Sequence, residues 1–185
     1  MSNAVSVLNG ATFNGAVKIT ETGLRGMINL RGNLGSEAMI SAVKSTVGLT
    51  IPEVRKIVSG NSGAVAWMSP DELLLFVDYD AADDVVSKLC AALAGEHFMA
   101  VNVSDARAHF VIEGSGARDV LAKGAPVDMS QGVFGKAEIR RSRIGQVAAA
   151  IWTLDGETFE IVCFRSVGAF MFDWLSNAAQ EGSLP

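Results

Sequence analysis

The chain has 185 residues, of which 49% are hydrophobic and only 19% are charged, and its formal net charge at pH 7 is -5. This length suits one domain or two small, closely packed ones. The negative charge argues against a nucleic-acid or anionic membrane surface, because phosphate binding needs a net basic field. No window reaches the roughly 18 consecutive apolar residues of a membrane span, and the N-terminus lacks a leader pattern, so we expect a cytoplasmic protein.

The first half of the chain is predicted to contain short strands and two helices. In chain order these are strands 16–21 and 26–32, a helix over 36–47, strands 54–59, 64–69 and 73–78, a helix over 82–94 and a strand over 97–103. Ser36 suits the N-cap of the first helix, and Gly48 suits its C-terminal stop. The segment Ser69–Glu72 could open a helix or form a Pro-Asp turn, and the buried strand that follows it favours the turn.

The second half is predicted to contain four strands and two helices. In chain order these are strand 107–114, a short helix over 115–123 closed by Gly124, an irregular connection over 125–135, strands 137–144, 145–154 and 158–164, and a helix from Ser166 to about Gln180. In the closing helix one apolar stripe is expected to face the core, formed by Val167, Phe170, Met171, Trp174 and Leu175. At 100° per residue, Phe172 lies away from the centre of that stripe.

The two cysteines are expected to be buried thiols rather than a disulfide. Cys90 falls on the apolar stripe of the helix over 82–94, and Cys163 lies in the apolar strand over 158–164. Such isolated, buried cysteines are typical of a reducing compartment.

The order strand, glycine, helix, hairpin, helix occurs in both halves. Gly32 and Gly114 are 82 positions apart, and so are Gly63 and Gly145. We therefore expect an α+β fold in which a βαββα unit is duplicated about a pseudo-twofold axis. The predicted domain is a single body over 16–182, with repeats at about 24–95 and 106–182 and an N-terminal extension over 1–15. A chance recurrence of a common α+β pattern is the alternative.

Residue patterns typical of catalysis or metal binding are weak. His97 and His109 are the only histidines, and although His109 could pair with Glu113 on its strand face, a structural histidine is the favoured interpretation. The cysteines and histidines lack the paired spacing of a zinc site. The loop "GSGARD" places Asp119 where a third glycine would be needed to cradle a phosphate. We predict no catalytic, cofactor-binding or metal-binding residue.

Candidate partner-binding residues come from one basic strand and from the closing helix. In "KAEIRRSR", Arg141 and Arg143 share one strand face and Arg140 takes the other. Three guanidinium groups could bind an anion, protect a solvated edge strand or form salt bridges with a partner. Phe172, if another segment of the chain does not cover it, would mark a contact surface. The predicted interface residues are therefore Phe172, Arg140, Arg141 and Arg143.

Several long segments carry a family resemblance. They are "LRGMINLRG", "WMSPDELLLF", "ARAHFVIEGSGARDVLAKGAPVDM", "RRSRIGQVAAAIW" and "FEIVCFRSVGAFMFDWL". In this order they resemble the gamma subunit family of heterotetrameric sarcosine oxidase, over about residues 16 to 176. The resemblance implies a fold similar to the folate-binding domain of the glycine-cleavage aminomethyltransferase.

The resemblance also implies a division of labour among subunits. In such complexes the alpha and beta subunits bind FAD, NAD, covalently attached FMN and tetrahydrofolate, and the delta subunit carries zinc. The gamma subunit is an accessory component docked on alpha, with beta and delta in the same complex. The complex converts sarcosine to glycine and hydrogen peroxide, and passes the one-carbon unit to tetrahydrofolate or releases it as formaldehyde. No catalytic residue of this chain follows from the family.

The sequence favours two function classes, and a third ranks below them. The first is the accessory gamma subunit, and the second is a stand-alone folate-binding one-carbon protein of the aminomethyltransferase type. The second would need a carboxylate for the pterin ring, for which Glu113 is one scattered candidate. A small-molecule sensor using the arginines ranks last, because nothing fixes its ligand.

Overall fold

The computed structural model describes residues 4–183. They form two compact units, one made of the residues up to Leu24 together with those from Asp105 onward, and the other of Arg25–Ser104. We call these the split unit and the continuous unit. Among the described residues, no helix combines the length and the apolar character needed to cross a membrane.

The described residues form eleven strands and four α-helices. The strands are β1 (Thr12–Asn14), β2 (Lys18–Glu21), β3 (Gly26–Gly32), β4 (Ile57–Gly60), β5 (Gly63–Ser69), β6 (Glu72–Val77), β7 (Phe98–Asn102), β8 (Arg107–Glu113), β9 (Ile139–Ile144), β10 (Val147–Thr153) and β11 (Phe159–Phe164). The helices are α1 (Glu37–Val47), α2 (Ala82–Ala92), α3 (Ala117–Ala122) and α4 (Gly168–Ala178), and 3-10 turns at Tyr79–Ala81 and Arg165–Val167 precede α2 and α4.

The continuous unit is a five-stranded antiparallel sheet with two helices on one face. The strand order is β4-β5-β6-β3-β7. Apolar side chains of β3, β5 and β6, including Ile28 and Leu75, form one core with those of α1 and α2, including Val43 and Leu89. The predicted caps of α1 are confirmed, since Ser36 Oγ accepts a hydrogen bond from Met39 N and Gly48 is left-handed at φ 71°.

The split unit is a six-stranded antiparallel sheet in the order β1-β2-β8-β11-β10-β9. Ile19, Phe110 and Ile161 on one face of the sheet share a core with side chains of α3 and α4, such as Leu121 and Leu175. The first strand, β1, belongs to the segment predicted as an N-terminal extension over 1–15. Residues 1–3 of that segment lie outside the described part of the chain.

The predicted turn between β5 and β6 is confirmed. Ser69 and Glu72 are paired across the two strands, so Pro70 and Asp71 occupy the turn. Ser69 Oγ and Arg31 donate to the Asp71 carboxylate at 2.7 Å and 2.6 Å. These hydrogen bonds, with that of Ser69 the larger contribution, lower the pKa of Asp71.

A run of six elements has the same order in the two units. It is strand, helix, three antiparallel strands, helix, and its strands take matching sheet positions, β4-β5-β6-β3 and β9-β10-β11-β8. The units differ outside this run, because β7 follows α2 in the continuous unit whereas β1 and β2 precede β8 in the split unit. The observed order is therefore βαβββα. The predicted βαββα repeat omitted β4 and β9, although the strands themselves were predicted.

Two predicted burial patterns are wrong. Cys90 is exposed on α2, because the buried side of that helix runs through Ala82, Val85 and Leu89. On α4 the buried side runs through Gly168, Met171, Leu175 and Ala178, and Phe170 of the predicted stripe is 52% exposed.

Candidate functional site

The three arginines of β9 do not converge on one site. Strand β9 is an edge strand of the split unit, and Arg141 and Arg143 are exposed on it. Arg140 is half-buried, pairs with Glu138 at 2.5 Å and lies over the Phe134 ring at 5.2 Å from its centroid. Arg140 is thus held by its own chain. Arg141 and Arg143 place positive charge at the exposed sheet edge, which resists unwanted strand pairing.

Phe172 contacts the core of its own unit. It is half-buried, and its ring centroid lies 6.4 Å from that of Phe110. The exposed aromatic side chains of this region are instead Phe170 on α4 and Phe164 at the end of β11, with 52% and 50% of their surface accessible.

Phe164 lies in an open groove that we call the Phe164 groove. It has a volume of about 690 Å³ and is lined by Val7, Ala106, Phe164, Arg165 and Ser166. Arg107 stacks over the Phe164 ring, 4.0 Å from its centroid. Arg165 Nη2 donates to the carbonyl of Val5 at 2.7 Å, so the guanidinium group ties the N-terminal segment to the start of the last helical region.

The sequence contained a signal for this exposed phenylalanine. Side chains alternate along β11, and Phe159, Ile161 and Cys163 belong to the core of the split unit. Phe164 therefore shares the other strand face with Glu160. Because most residues of β11 are apolar, the alternation between its two faces is not evident from hydrophobicity alone.

His109 is the centre of a buried polar network. Its Nδ1 lies 2.7 Å from Thr22 Oγ1 and its Nε2 lies 2.9 Å from Glu160 Oε2. The ring is 1% exposed and lies 5.4 Å from the Trp152 ring between centroids. Both ring nitrogens therefore have a hydrogen-bonding partner, a carboxylate at Nε2 and a hydroxyl group at Nδ1.

The alternative pairing of His109 with Glu113 does not form, and the favoured interpretation of His109 as a structural histidine agrees with its buried position. Glu113 instead pairs with Lys18 at 3.0 Å on the exposed part of the sheet. The β8–β11 register sets Val111 opposite Glu160 and His109 opposite Val162, so Glu160 reaches His109 across the strands on a diagonal. Glu113, the carboxylate considered for a pterin ring, is thus held in a surface ion pair.

The histidine network has the order of groups found in hydrolytic triads, but a structural role explains it. Thr22 N also donates to the His109 carbonyl at 3.1 Å, so side chain and backbone bind the same residue. The network joins β8, β11 and the residue after β2, while the ring itself is closed to solvent. We assign it a stabilising function.

The arginine of "GSGARD", Arg118, donates hydrogen bonds to three backbone carbonyls in other segments of the chain. Arg118 Nη1 donates to the carbonyls of Met129 and Phe134 at 2.5 Å and 2.9 Å, and Nη2 donates to that of Gly156 at 2.5 Å. Gly114 adopts φ 131°, which agrees with its predicted use as a turn former. The Arg118 guanidinium group thus holds these three backbone carbonyls in place, a role that the sequence analysis did not predict.

Metal ions are held by several donor side chains that lie close together. Within residues 4–183, no three or more His, Cys, Asp or Glu side chains are grouped so that they could hold a metal ion.

The thiol of Cys90 is expected to react in the folded protein and that of Cys163 is not. Burial raises the pKa of Cys163 to about 12, against a smaller lowering by Arg107. Because the thiolate is the reactive species, Cys163 stays inert at mildly alkaline pH. Titration with a chromogenic disulfide reagent should detect one thiol in the native chain and two after denaturation. Rapid reaction of both native thiols would contradict this.

Comparisons with known proteins agree with this fold and with the residues that carry the resemblance. The sarcosine oxidase, gamma subunit family matches residues 31–181. The sarcosine oxidase subunit gamma of Corynebacterium sp. (strain U-96) is 28% identical over 171 residues, which cover 91% of this chain and 82% of that relative.

Two solved structures share the fold. One is the heterotetrameric sarcosine oxidase from Corynebacterium sp. U-96 in complex with pyrrole 2-carboxylate, with a TM-score of 0.80, 24% identity, and coverage of 91% of this chain and 87% of that chain. The other is the glycine cleavage system aminomethyltransferase T from Bartonella henselae, with a TM-score of 0.58, 13% identity, and coverage of 85% and 45%. Because the family match spans most of its length, this chain belongs to the sarcosine oxidase gamma subunit family.

Proposed function

We propose that this chain is the accessory gamma subunit of a heterotetrameric sarcosine oxidase. Family membership over residues 31–181 is the observation that carries the proposal. The placement of the candidate residues supports it: the His109 and Arg118 side chains are committed to holding the split unit together, and the exposed aromatic side chains lie at its surface.

In the proposed assembly the chemistry belongs to the partner subunits. FAD, NAD, covalent FMN and tetrahydrofolate would be bound by alpha and beta, and zinc by delta, while this chain docks on alpha. The complex would oxidise the N-methyl group of sarcosine, giving glycine, hydrogen peroxide and a one-carbon unit for tetrahydrofolate. Arg141 and Arg143 at the β9 edge, with Arg140 and Phe172 beside the core, remain the interface residues that the sequence proposes.

We also propose that the two units descend from one duplicated element. The matching run of six elements and the matching positions of its strands support a duplication, since each unit contains a βαβββα run and has its own core. The pseudo-twofold axis between them stays a prediction.

Co-purification tests the assembly. A tagged version of this chain, expressed together with the alpha, beta and delta subunits, should elute with them as one flavin-containing species of fixed stoichiometry. Expression with alpha alone should still capture alpha, whereas expression with beta and delta alone should capture neither. Elution of the tagged chain by itself in every combination would contradict the proposal.

Activity assays separate an accessory role from an enzymatic one. The isolated chain should release no hydrogen peroxide from sarcosine, and it should show no heat of binding with tetrahydrofolate. Turnover of sarcosine by the isolated chain would contradict the accessory role, and tetrahydrofolate binding would favour the folate-binding alternative.

A further inference from the structure

We infer that the Phe164 groove is the surface by which this chain docks on its large partner, and that the partner fills it with an apolar side chain flanked by a carboxylate. The inference rests on the proposed function and names the surface that performs it. The residues that carry it are Phe164, Arg107 and Arg165, none of which was among the predicted interface residues.

Apolar surface is exposed around the groove. Phe164 is 50% exposed and Val5, beside it on the N-terminal segment, is 58% exposed. Exposed apolar groups within a concave surface are typical of interaction sites, whereas single exposed hydrophobic residues are ordinary. The groove volume of about 690 Å³ is large enough for an inserted side chain and its neighbouring backbone.

The segments around the groove are more basic than the chain as a whole. The segments that build the groove, 5–7, 105–107 and 164–166, carry two arginines and one aspartate, on a chain whose net charge is -5. These segments therefore carry a net charge of +1 on an acidic chain, and Arg165 is the charged residue of the groove lining. Arg107 stacks on the exposed face of an aromatic ring, and aromatic and arginine side chains are the groups that dominate binding energy at protein interfaces. A carboxylate of the partner is the complementary group.

Contacts of the N-terminal segment hold the groove in shape. The hydrogen bond from Arg165 to the Val5 carbonyl fixes one wall. The same N-terminal segment packs closely on the start of α4 because position 168 is glycine, where a Cβ atom would lie 2.9 Å from Val7 Cγ1 and 3.0 Å from Ala108 Cβ. A preformed groove loses little conformational entropy on binding, which suits a permanent docking site.

The β9 edge offers a weaker anchor. Its exposed side chains, Arg141 and Arg143, flank Ser142 and supply no exposed aromatic group. Charged groups at the rim of an interface contribute mainly to the rate of association and to its salt dependence. The two surfaces therefore differ in the effect that mutation should have, which makes them separable by experiment.

The test compares substitutions at the two surfaces in the full chain. Phe164→Ser is expected to weaken binding to the co-expressed flavoprotein subunits by about 30-fold, the usual effect of removing an interface anchor. Arg165→Gln is expected to weaken binding by about 10-fold and to reduce its dependence on salt. Phe170→Ser is the matched control, because it removes an equally exposed phenylalanine from the same unit. It should change affinity by less than about threefold. The double variant R141Q/R143Q, at the edge that the sequence proposes as interface, should mainly slow association and reduce its salt dependence, with a smaller loss of affinity than Phe164→Ser.

The outcomes are distinguishable. If the wild-type chain does not bind the flavoprotein subunits, the proposed function fails and this inference fails with it. If the wild-type chain binds and Phe164→Ser binds equally well, only the groove assignment is overturned. An equal loss in Phe164→Ser and Phe170→Ser would also overturn it, since the effect would then follow apolar exposure in general.

Photocrosslinking provides a readout that does not depend on affinity. A benzophenone amino acid at position 164 of the assembled complex should form an adduct with the large flavoprotein subunit. An adduct with a second copy of this chain, or none at all while the same probe at position 141 crosslinks, would overturn the inference.

Discussion

Replacing His109 with leucine is expected to lower the free energy of unfolding of the split unit by about 3 kcal/mol. Leucine fills a similar space but removes the ring nitrogens that lie 2.9 Å from Glu160 Oε2 and 2.7 Å from Thr22 Oγ1. The ring is 1% exposed, so water cannot readily replace either hydrogen bond. The variant loses both polar contacts of the ring, and the Glu160 carboxylate is largely shielded from water, which is why the loss exceeds that of one ordinary hydrogen bond.

The measurement uses the position of the tryptophans. The chain has three, and in a Trp67→Phe background the fluorescence reports on Trp152 and Trp174, both in the split unit. Urea unfolding of the His109→Leu variant in that background should show a lower midpoint with a similar slope. Thr22→Val should cost about 1 kcal/mol, and the exposed His97→Leu should stay within about 0.5 kcal/mol. Equal effects at His97 and His109 would contradict the assigned network.

Local signals in the sequence predicted most elements of the fold. Ser36 and Gly48 bound α1 because a side-chain cap and a left-handed glycine are chosen by the adjacent residues alone. The Pro70–Asp71 turn likewise follows from residues next to one another, and it fixes the register of β5 on β6. Features of this kind require no knowledge of distant parts of the chain.

The partner of His109 could not be predicted in the same way. Its carboxylate, Glu160, is 51 positions away, and the pair depends on the register between β8 and β11. The alternative of Glu113 used strand parity within β8, which places two residues on one face but does not decide which neighbouring strand lies beside them. Sequence periodicity identifies faces, and only the sheet order identifies the groups that meet on them.

The error on α4 has a different cause. The predicted stripe ranked large apolar residues and so included Phe170, but the side of closest approach is formed by small ones, Gly168 and Ala178. A Cβ atom at position 168 would crowd Val7 and Ala108, so the helix turns its smallest residues inward there. Phe172 is drawn towards Phe110 and Phe170 is left exposed. Val7, which packs against Gly168 at the start of α4, also lines the Phe164 groove, so the start of the helix lies beside the groove.

Replacing Arg118 with methionine is expected to lower the free energy of unfolding of the split unit by about 4 kcal/mol. Methionine preserves the aliphatic part of the side chain, but it removes a charged donor to three backbone carbonyls. Two of these carbonyls, of Met129 and Phe134, lie in the irregular connection over 125–135, whose own side chains enter the core. The arginine therefore supplies the hydrogen bonds that a helix or strand would otherwise provide to this segment.

Two measurements check the role of Arg118. In the Trp67→Phe background the Arg118→Met variant should unfold at a clearly lower urea concentration, and limited proteolysis of the native variant should cleave within 125–135 many times faster than in wild type. Arg143→Met is the matched control, because it removes an exposed arginine from β9 and should change stability by less than about 0.5 kcal/mol. Unchanged proteolysis with reduced stability would locate the effect elsewhere, because loss of the three carbonyl contacts must loosen this connection before the sheet itself opens.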